Sequence, residues 1–261
     1  MTDVFSIIMD KFTLFLLILV RMSSLFVITP VFGGRNVPSY FKVGLAFFCS
    51  VILVTLLKDV TIEFTNIFSY ASIILKELVI GIILGFVSYM VFSALYLAGQ
   101  IIDTQIGFGM VSVLDPLQRT QVPLVGNFLY IITLIFFLTM NGHHVLLTAL
   151  FKSYNVLPIN SFTFNDVLFN NMLNIFYETF MIGFKISIPI IAASLLAEIA
   201  LGILTKTVPQ MNVFVIGMPL KVGVGLVVLF SMIPMFLTTM DMTFNKMYDY
   251  IYIIIKSMAK G

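Results

Sequence analysis

Charge is what this sequence has least of: 10% of its 261 residues are Asp, Glu, Lys or Arg, against about a quarter in an average soluble domain. Fourteen bases and twelve acids cannot cover the surface of a chain this long, and 60% of the residues are apolar. A water-soluble globule is therefore excluded, and the surrounding medium is lipid or other apolar subunits. The net charge of +2 excludes a nucleic-acid reader that works by phosphate neutralisation. One cysteine, Cys49, excludes an internal disulfide framework and a cysteine metal cluster. The first eleven residues hold Asp3 and Asp10 with a single base, Lys11. They lack the basic region and small-residue cleavage site of a secretory signal, so the first apolar segment is expected to stay as an anchor.

Long apolar runs are what the chain does have. A helical span needs about 20 mostly apolar residues. Cutting at charge, proline, glycine and asparagine leaves six segments, at 12–31, 43–57, 78–98, 123–140, 175–204 and 213–240. The runs are continuously apolar rather than alternating, which favours helices over a membrane β-barrel. The expected fold is all-α, an integral membrane protein of about six hydrophobic helices. Pro189, Pro219 and Pro234 fall inside the last two segments, where each removes a backbone donor, so those helices are expected to be kinked or broken. Bases divide seven against four across a six-span arrangement, which favours both termini on the cytoplasmic side.

Several residues resist a plain lipid-embedded bundle. Arg21, Lys185, Glu198 and Lys221 lie within apolar segments and Glu77 at the lip of the third. A charge at the bilayer centre costs roughly 2.5 to 3.5 kcal/mol on insertion scales, so each is expected to face a partner. Salt bridges between helices or subunits are favoured over a proton relay, since no pair sits four apart on one helix face. The stretch 99–121 is too polar to span and too apolar for a solvated loop. Within it, Phe108 and Met110 flank Gly109 beside Gly107, a composition suited to a deformable constriction or to plain packing. Gly81 and Gly85 form a small-residue face for close helix approach.

Nothing here resembles a catalytic centre. His143 and His144 are adjacent and point to different faces, unlike the i, i+4 pair of a helical zinc site. Asp103 and Asp115 have no positioned nucleophile or cofactor cradle between them. A nucleotide loop of the G-x-x-x-x-G-K type is missing as well. No cofactor or metal is expected, and an enzyme is disfavoured. A secondary transporter with a midplane site at Pro189, Glu198, Pro219 and Lys221 is the alternative from a different class.

The pieces in order resemble a known family. Arg21 followed by Pro30-Val-Phe-Gly-Gly34 and Pro38, Glu77-Leu-Val-Ile-Gly-Ile-Ile-Leu-Gly-Phe86, and Ala98-Gly-Gln-Ile-Ile-Asp103 with Gly107-Phe-Gly-Met110 and Asp115-Pro116 carry the first half. Asn141-Gly-His143, Pro158, Pro189, Glu198-Ile-Ala-Leu-Gly202, Val208-Pro-Gln-Met-Asn-Val-Phe214 and Pro219-Leu-Lys221 carry the second. Together they resemble the FliR family of flagellar type III export-gate proteins, whose virulence counterpart is SctT. Gln100 and Gly107-Phe-Gly109 are more similar to the flagellar branch.

The resemblance implies one FliR-like membrane domain over 1–261, with the first helices and a plug loop in 1–122 and later hairpins and the tail in 123–261. It implies helical hairpins within a heteromeric conical export gate, with multiple copies of FliP and FliQ and contacts to FlhB and FlhA. Residues Arg21, Glu77, Lys185, Glu198 and Lys221 become buried charges at subunit or helix interfaces. The segment 107–122, with Gly107, Phe108, Gly109, Met110, Val111, Asp115 and Pro116, is similar to a pore plug that works with a methionine ring of FliP. Unfolded flagellar proteins would cross the bacterial inner membrane there, at the flagellar basal body, driven by other proteins of the apparatus.

Overall fold

The structure is a computed structural model and describes residues 2–34, 37–57, 66–108, 123–210 and 212–259. Every element among the described residues is helical: α1 (Thr2–Ile28), α2 (Pro30–Gly33), α3 (Ser39–Leu56), α4 (Ile67–Ile106), α5 (Leu124–Thr139), α6 (Gly142–Val156), α7 (Asp166–Thr207) and α8 (Val213–Ala259). Five of them hold a stretch long and apolar enough to cross a membrane, and α5 with α6 makes a sixth if the two count as one broken span. The all-helical membrane class and the count of about six expected from the sequence both hold.

Local chemistry explains the boundaries. Proline opens α2 at its first position, where its missing N–H costs nothing. Pro38 and Pro123, both extended, precede α3 and α5 in the same way. Asn165 caps α7, its side-chain oxygen accepting the Leu168 N–H at 2.8 Å. Helix α5 stops at Met140, and Asn141 adopts a left-handed φ of 56° before α6 begins, a conformation asparagine tolerates better than most side chains.

Three helices outrun their apolar segments. Helix α4 has 40 residues, about 60 Å at 1.5 Å per residue and twice the hydrocarbon thickness. The stretch 99–106, expected to leave the third helix as part of an irregular loop, instead continues α4. Ala98, Ile102 and Ile106 are buried along one face there, so packing outweighs the polarity of Gln100, Thr104 and Gln105. Helices α7 and α8 also continue through Pro189, Pro219 and Pro234 without interruption in their helical assignment. Of the two expected forms, kink or break, an outright break is absent at all three. Each proline still leaves the carbonyl four residues earlier without its usual donor.

The described residues form two compact units, with α4, α7 and α8 each contributing to both. Unit 1 takes residues 1–90, 141–175 and 246–261. Its core is Leu17, Ile18, Met22 and Phe26 of α1 with Ile80, Leu84, Leu146, Leu150 and Ile254. Helix α1 approaches α4 closely at Gly81, where a Cβ would lie 1.8 Å from Ser24 Oγ and 2.4 Å from the Arg21 carbonyl oxygen. The end of α8 is fastened to the connector before α7: Thr163 N–H donates to the Met258 carbonyl at 3.2 Å, and Asn165 Nδ2 to that of Ser257 at 3.0 Å.

Unit 2 takes residues 91–140 and 176–245. Phe92, Phe137 and Phe244, from α4, α5 and α8, meet with ring centroids 5.0 to 5.4 Å apart, the spacing of tilted and edge-on aromatic packing.

Candidate functional site: the loop base and the span charges

The ends of the segment 107–122 are built from α4 and α5 within unit 2. Helix α4 stops where Gly107 takes a φ of +100°, a conformation that disfavours any residue with a Cβ. Gly107 and Phe108 both donate their N–H to the Asp103 carbonyl at 3.1 Å, the 5→1 and 6→1 bonds with which a left-handed residue closes a helix end. The Asp103 side chain turns the other way. Its Oδ1 accepts the Val125 N–H at 2.9 Å and its Oδ2 the Gly126 N–H at 3.0 Å.

Those N–H groups belong to the first turn of α5 and have no partner within their own helix. A carboxylate there also complements the positive end of the helix dipole. Asp103, buried at 4% exposure, therefore ties the end of one helix to the start of the next across the whole intervening segment. The tie is possible because the backbones touch: a Cβ on Gly99 would lie 2.2 Å from the Gly126 Cα. Two further contacts fix the end of α4, Ser194 Oγ donating to Gln105 Oε1 at 3.1 Å and Ile106 filling the space over Gly225.

Of the residues expected in this loop, Gly107 and Phe108 stand at its root, Phe108 half-buried. Gly109, Met110, Val111, Asp115 and Pro116 lie outside the described residues. Sequence reasoning named Asp103 only as half of an unlikely acid/base pair and as part of a family motif, and missed its place as a tie between two helices. Its partners lie 22 and 23 positions downstream, whereas the sequence signature of a cap is local. The faint signal was an acid on the last turn of an apolar segment, where it opposes its own helix dipole.

The charges within spans divide into three cases. Arg21 and Glu77 are fully buried in unit 1, Arg21 Nε donating to Glu77 Oε2 at 2.6 Å. Arg21 Nη1 donates to the Leu157 carbonyl at 3.2 Å and to Ser153 Oγ at 3.3 Å, and the guanidinium lies 4.0 Å from the Tyr154 ring centroid. Glu77 Oε1 accepts the Asn160 N–H at 3.2 Å. Four elements thus meet around one ion pair, and the hydrogen bonds meet part of what desolvating both charges costs.

Glu198 of α7 and Lys221 of α8 pair within unit 2. Neither is fully buried: the Glu198 side chain is 48% exposed and Lys221 20%. Lys185 is exposed on α7 and has no carboxylate within 4 Å among the described residues. Lys185 and Glu198 are thus not buried within the chain itself, each standing at an exposed position of α7. No group of three or more potential metal-binding side chains occurs among the described residues.

Comparison with known proteins places this geometry in context. Residues 12–247 match the family described as Bacterial export proteins, family 1. The flagellar biosynthetic protein FliR of Bacillus subtilis is 37% identical over 226 residues, 85% of this chain and 86% of that protein. FliR of Escherichia coli is 28% identical over 242 residues, 92% of each. The Yop proteins translocation protein T of Yersinia pestis is 31% identical over 127 residues, 48% of this chain and 49% of that one. A helical membrane chain so matched along nearly its whole length belongs to family 1 of the bacterial export proteins, the FliR family, and is a component of a flagellar or type III export apparatus.

Proposed function

We propose that this chain is a subunit of the flagellar type III export gate in the bacterial inner membrane, at the flagellar basal body. It assembles there with copies of FliP and FliQ, with FlhB and FlhA in contact, and its segment 107–122 plugs the channel for unfolded flagellar proteins. The observation that carries the plug reading is the loop base. Asp103 holds the end of α4 and the start of α5 together through two hydrogen bonds, so both ends of the segment leave from one place. Phe108, Met110 and Val111 give the segment apolar side chains that would dewet a constriction. Gly107 and Gly109 let it fold back on itself. An unfolded polypeptide entering the channel would displace it without breaking the base.

The assembly reading is supported by Lys185, an exposed cation in an apolar helix, which calls for a protein or water neighbour rather than acyl chains. The family match over 12–247 favours export over the secondary transporter. Co-expression of a tagged copy with FliP and FliQ, followed by native mass spectrometry, should return a mixed complex. Deleting 112–120 should raise the conductance of the membrane to small ions. If the assembled complex lacking 112–120 conducts no more than the intact one, the plug role is wrong.

A further inference from the structure

Helix α4, helix α6 and the connector that follows α6 close over the Arg21 guanidinium, yet they use only part of it. A guanidinium carries five N–H donors. Nε gives one to Glu77 Oε2, and Nη1 gives one each to Ser153 Oγ and the Leu157 carbonyl. Nη2 meets no acceptor among the described residues, and the Tyr154 hydroxyl has no hydrogen-bond partner there either. These two orphans sit on neighbouring side chains, the guanidinium carbon lying 4.0 Å from the centroid of the Tyr154 ring.

Burial decides what can answer them. Arg21 has no exposure and Tyr154 4%, so neither a side chain of another subunit nor a lipid headgroup reaches Nη2 or Oη unless the core opens. The pair does not satisfy itself, since the cation sits over the face of the ring and the hydroxyl projects from its edge. Leaving both atoms unmet, one of them on a cation, is costly, and buried polar groups of this kind are met by internal water. A water oxygen accepts from Nη2, and the same molecule donates to Oη or accepts from it. Glu77 Oε1 accepts one bond, from the Asn160 N–H, and has a lone pair left for a second water proton.

We propose that unit 1 binds an internal water between Arg21 Nη2 and Tyr154 Oη, as a built-in part of its buried ion pair. Tyr154 is then a tyrosine for its hydroxyl and not only for the ring beneath the cation. The inference concerns unit 1 alone and stands apart from the plug reading. A cryo-electron microscopy map of the full chain, purified with the subunits that co-elute and sharp enough to show ordered water, should hold a peak within about 3.2 Å of both atoms. A map that resolves both side chains and lacks that peak, or that turns Nη2 onto a protein acceptor, would overturn the proposal.

Heating in detergent, followed by size-exclusion chromatography, gives a second and independent reading. Tyr154→Phe keeps the ring against the guanidinium and removes only the hydroxyl. It should lower the midpoint of aggregation by about 2–4 °C, the loss of one hydrogen bond to the water. In a background of Arg21→Met with Glu77→Leu no guanidinium holds the water, and the same change should cost less or nothing. A hydroxyl with no water beside it gives the opposite sign: Tyr154→Phe would leave the midpoint unchanged or raise it, because an unmet polar group has gone. That result would overturn the proposal, and so would an equal loss in both backgrounds, which would uncouple the hydroxyl from Arg21.

Discussion

Replacing Glu77 by Ala should be the most damaging single side-chain truncation in unit 1. The change removes the 2.6 Å contact to Arg21 Nε and the acceptor for the Asn160 N–H. It leaves a guanidinium with no solvent exposure holding only Ser153 Oγ, the Leu157 carbonyl and the Tyr154 ring. Removing one partner of a buried pair costs about 3–5 kcal/mol. At about 2–4 °C per kcal/mol for a domain of this size, the midpoint of heat-induced aggregation should fall by about 6–20 °C.

Glu77→Gln should fall between, since an amide oxygen can still accept one of the two hydrogen bonds. The double variant Arg21→Met with Glu77→Leu should recover more than half of the loss, because two apolar side chains leave no uncompensated charge. Heating in detergent followed by size-exclusion chromatography reads this directly on a common ramp, which matters because membrane proteins unfold irreversibly. If the double variant loses the sum of the two single losses, Arg21 and Glu77 do not act as a pair and the reasoning fails.

Three further outcomes follow from the same geometry. Gly81→Ala should lower the yield of monodisperse protein sharply, because its Cβ meets the Arg21 carbonyl at 2.4 Å and overpacking costs about 1–3 kcal/mol; Gly44→Ala, with nothing within 4 Å of its Cβ, should be neutral or slightly stabilising in the same assay. Asp103→Asn should speed amide hydrogen exchange at Val125 and Gly126 more than elsewhere in α5, with a loss of about 1–2 kcal/mol from a weakened cap; uniform exchange along α5 would count against the cap. Asn165→Ala should cost at least about 1 kcal/mol for the lost cap, seen as faster exchange in the first turn of α7 and at the end of α8, whose Ser257 carbonyl loses its donor; unchanged exchange at Leu168 would refute it.

Much of the architecture was legible in the residues. Composition excluded water as the main solvent, and continuous apolar runs located the cores of α1, α3, α4, α5, α7 and α8. Helix α6 was not singled out, because Gly142 to Val156 carries His143, His144, Lys152 and Asn155 among its apolar residues, and its buried stripe, Leu146, Leu150, Ser153 and Tyr154, includes polar side chains. Helix ends were misread wherever tertiary packing overrode polarity: the last two turns of α4 look like loop by composition and are helical because Ile102 and Ile106 are buried.

By itself, the sequence determined that the protein is helical, that it lives in a membrane and that it belongs to the export family, because hydropathy, apolar periodicity and motif order are properties of neighbouring residues along the chain. It also determined that Arg21, Glu77, Lys185, Glu198 and Lys221 would need partners, since the cost of an unpaired charge in an apolar medium does not depend on the fold. Which partner each found was decided only by tertiary structure. Arg21 meets Glu77 from 56 positions away, and Asp103 reaches α5 because Gly99 and Gly126 let two backbones touch. Lys185 stands instead at an exposed position of α7. Contacts of this kind are set by the angle and separation at which helices cross, and that information is distributed over every packed side chain between them.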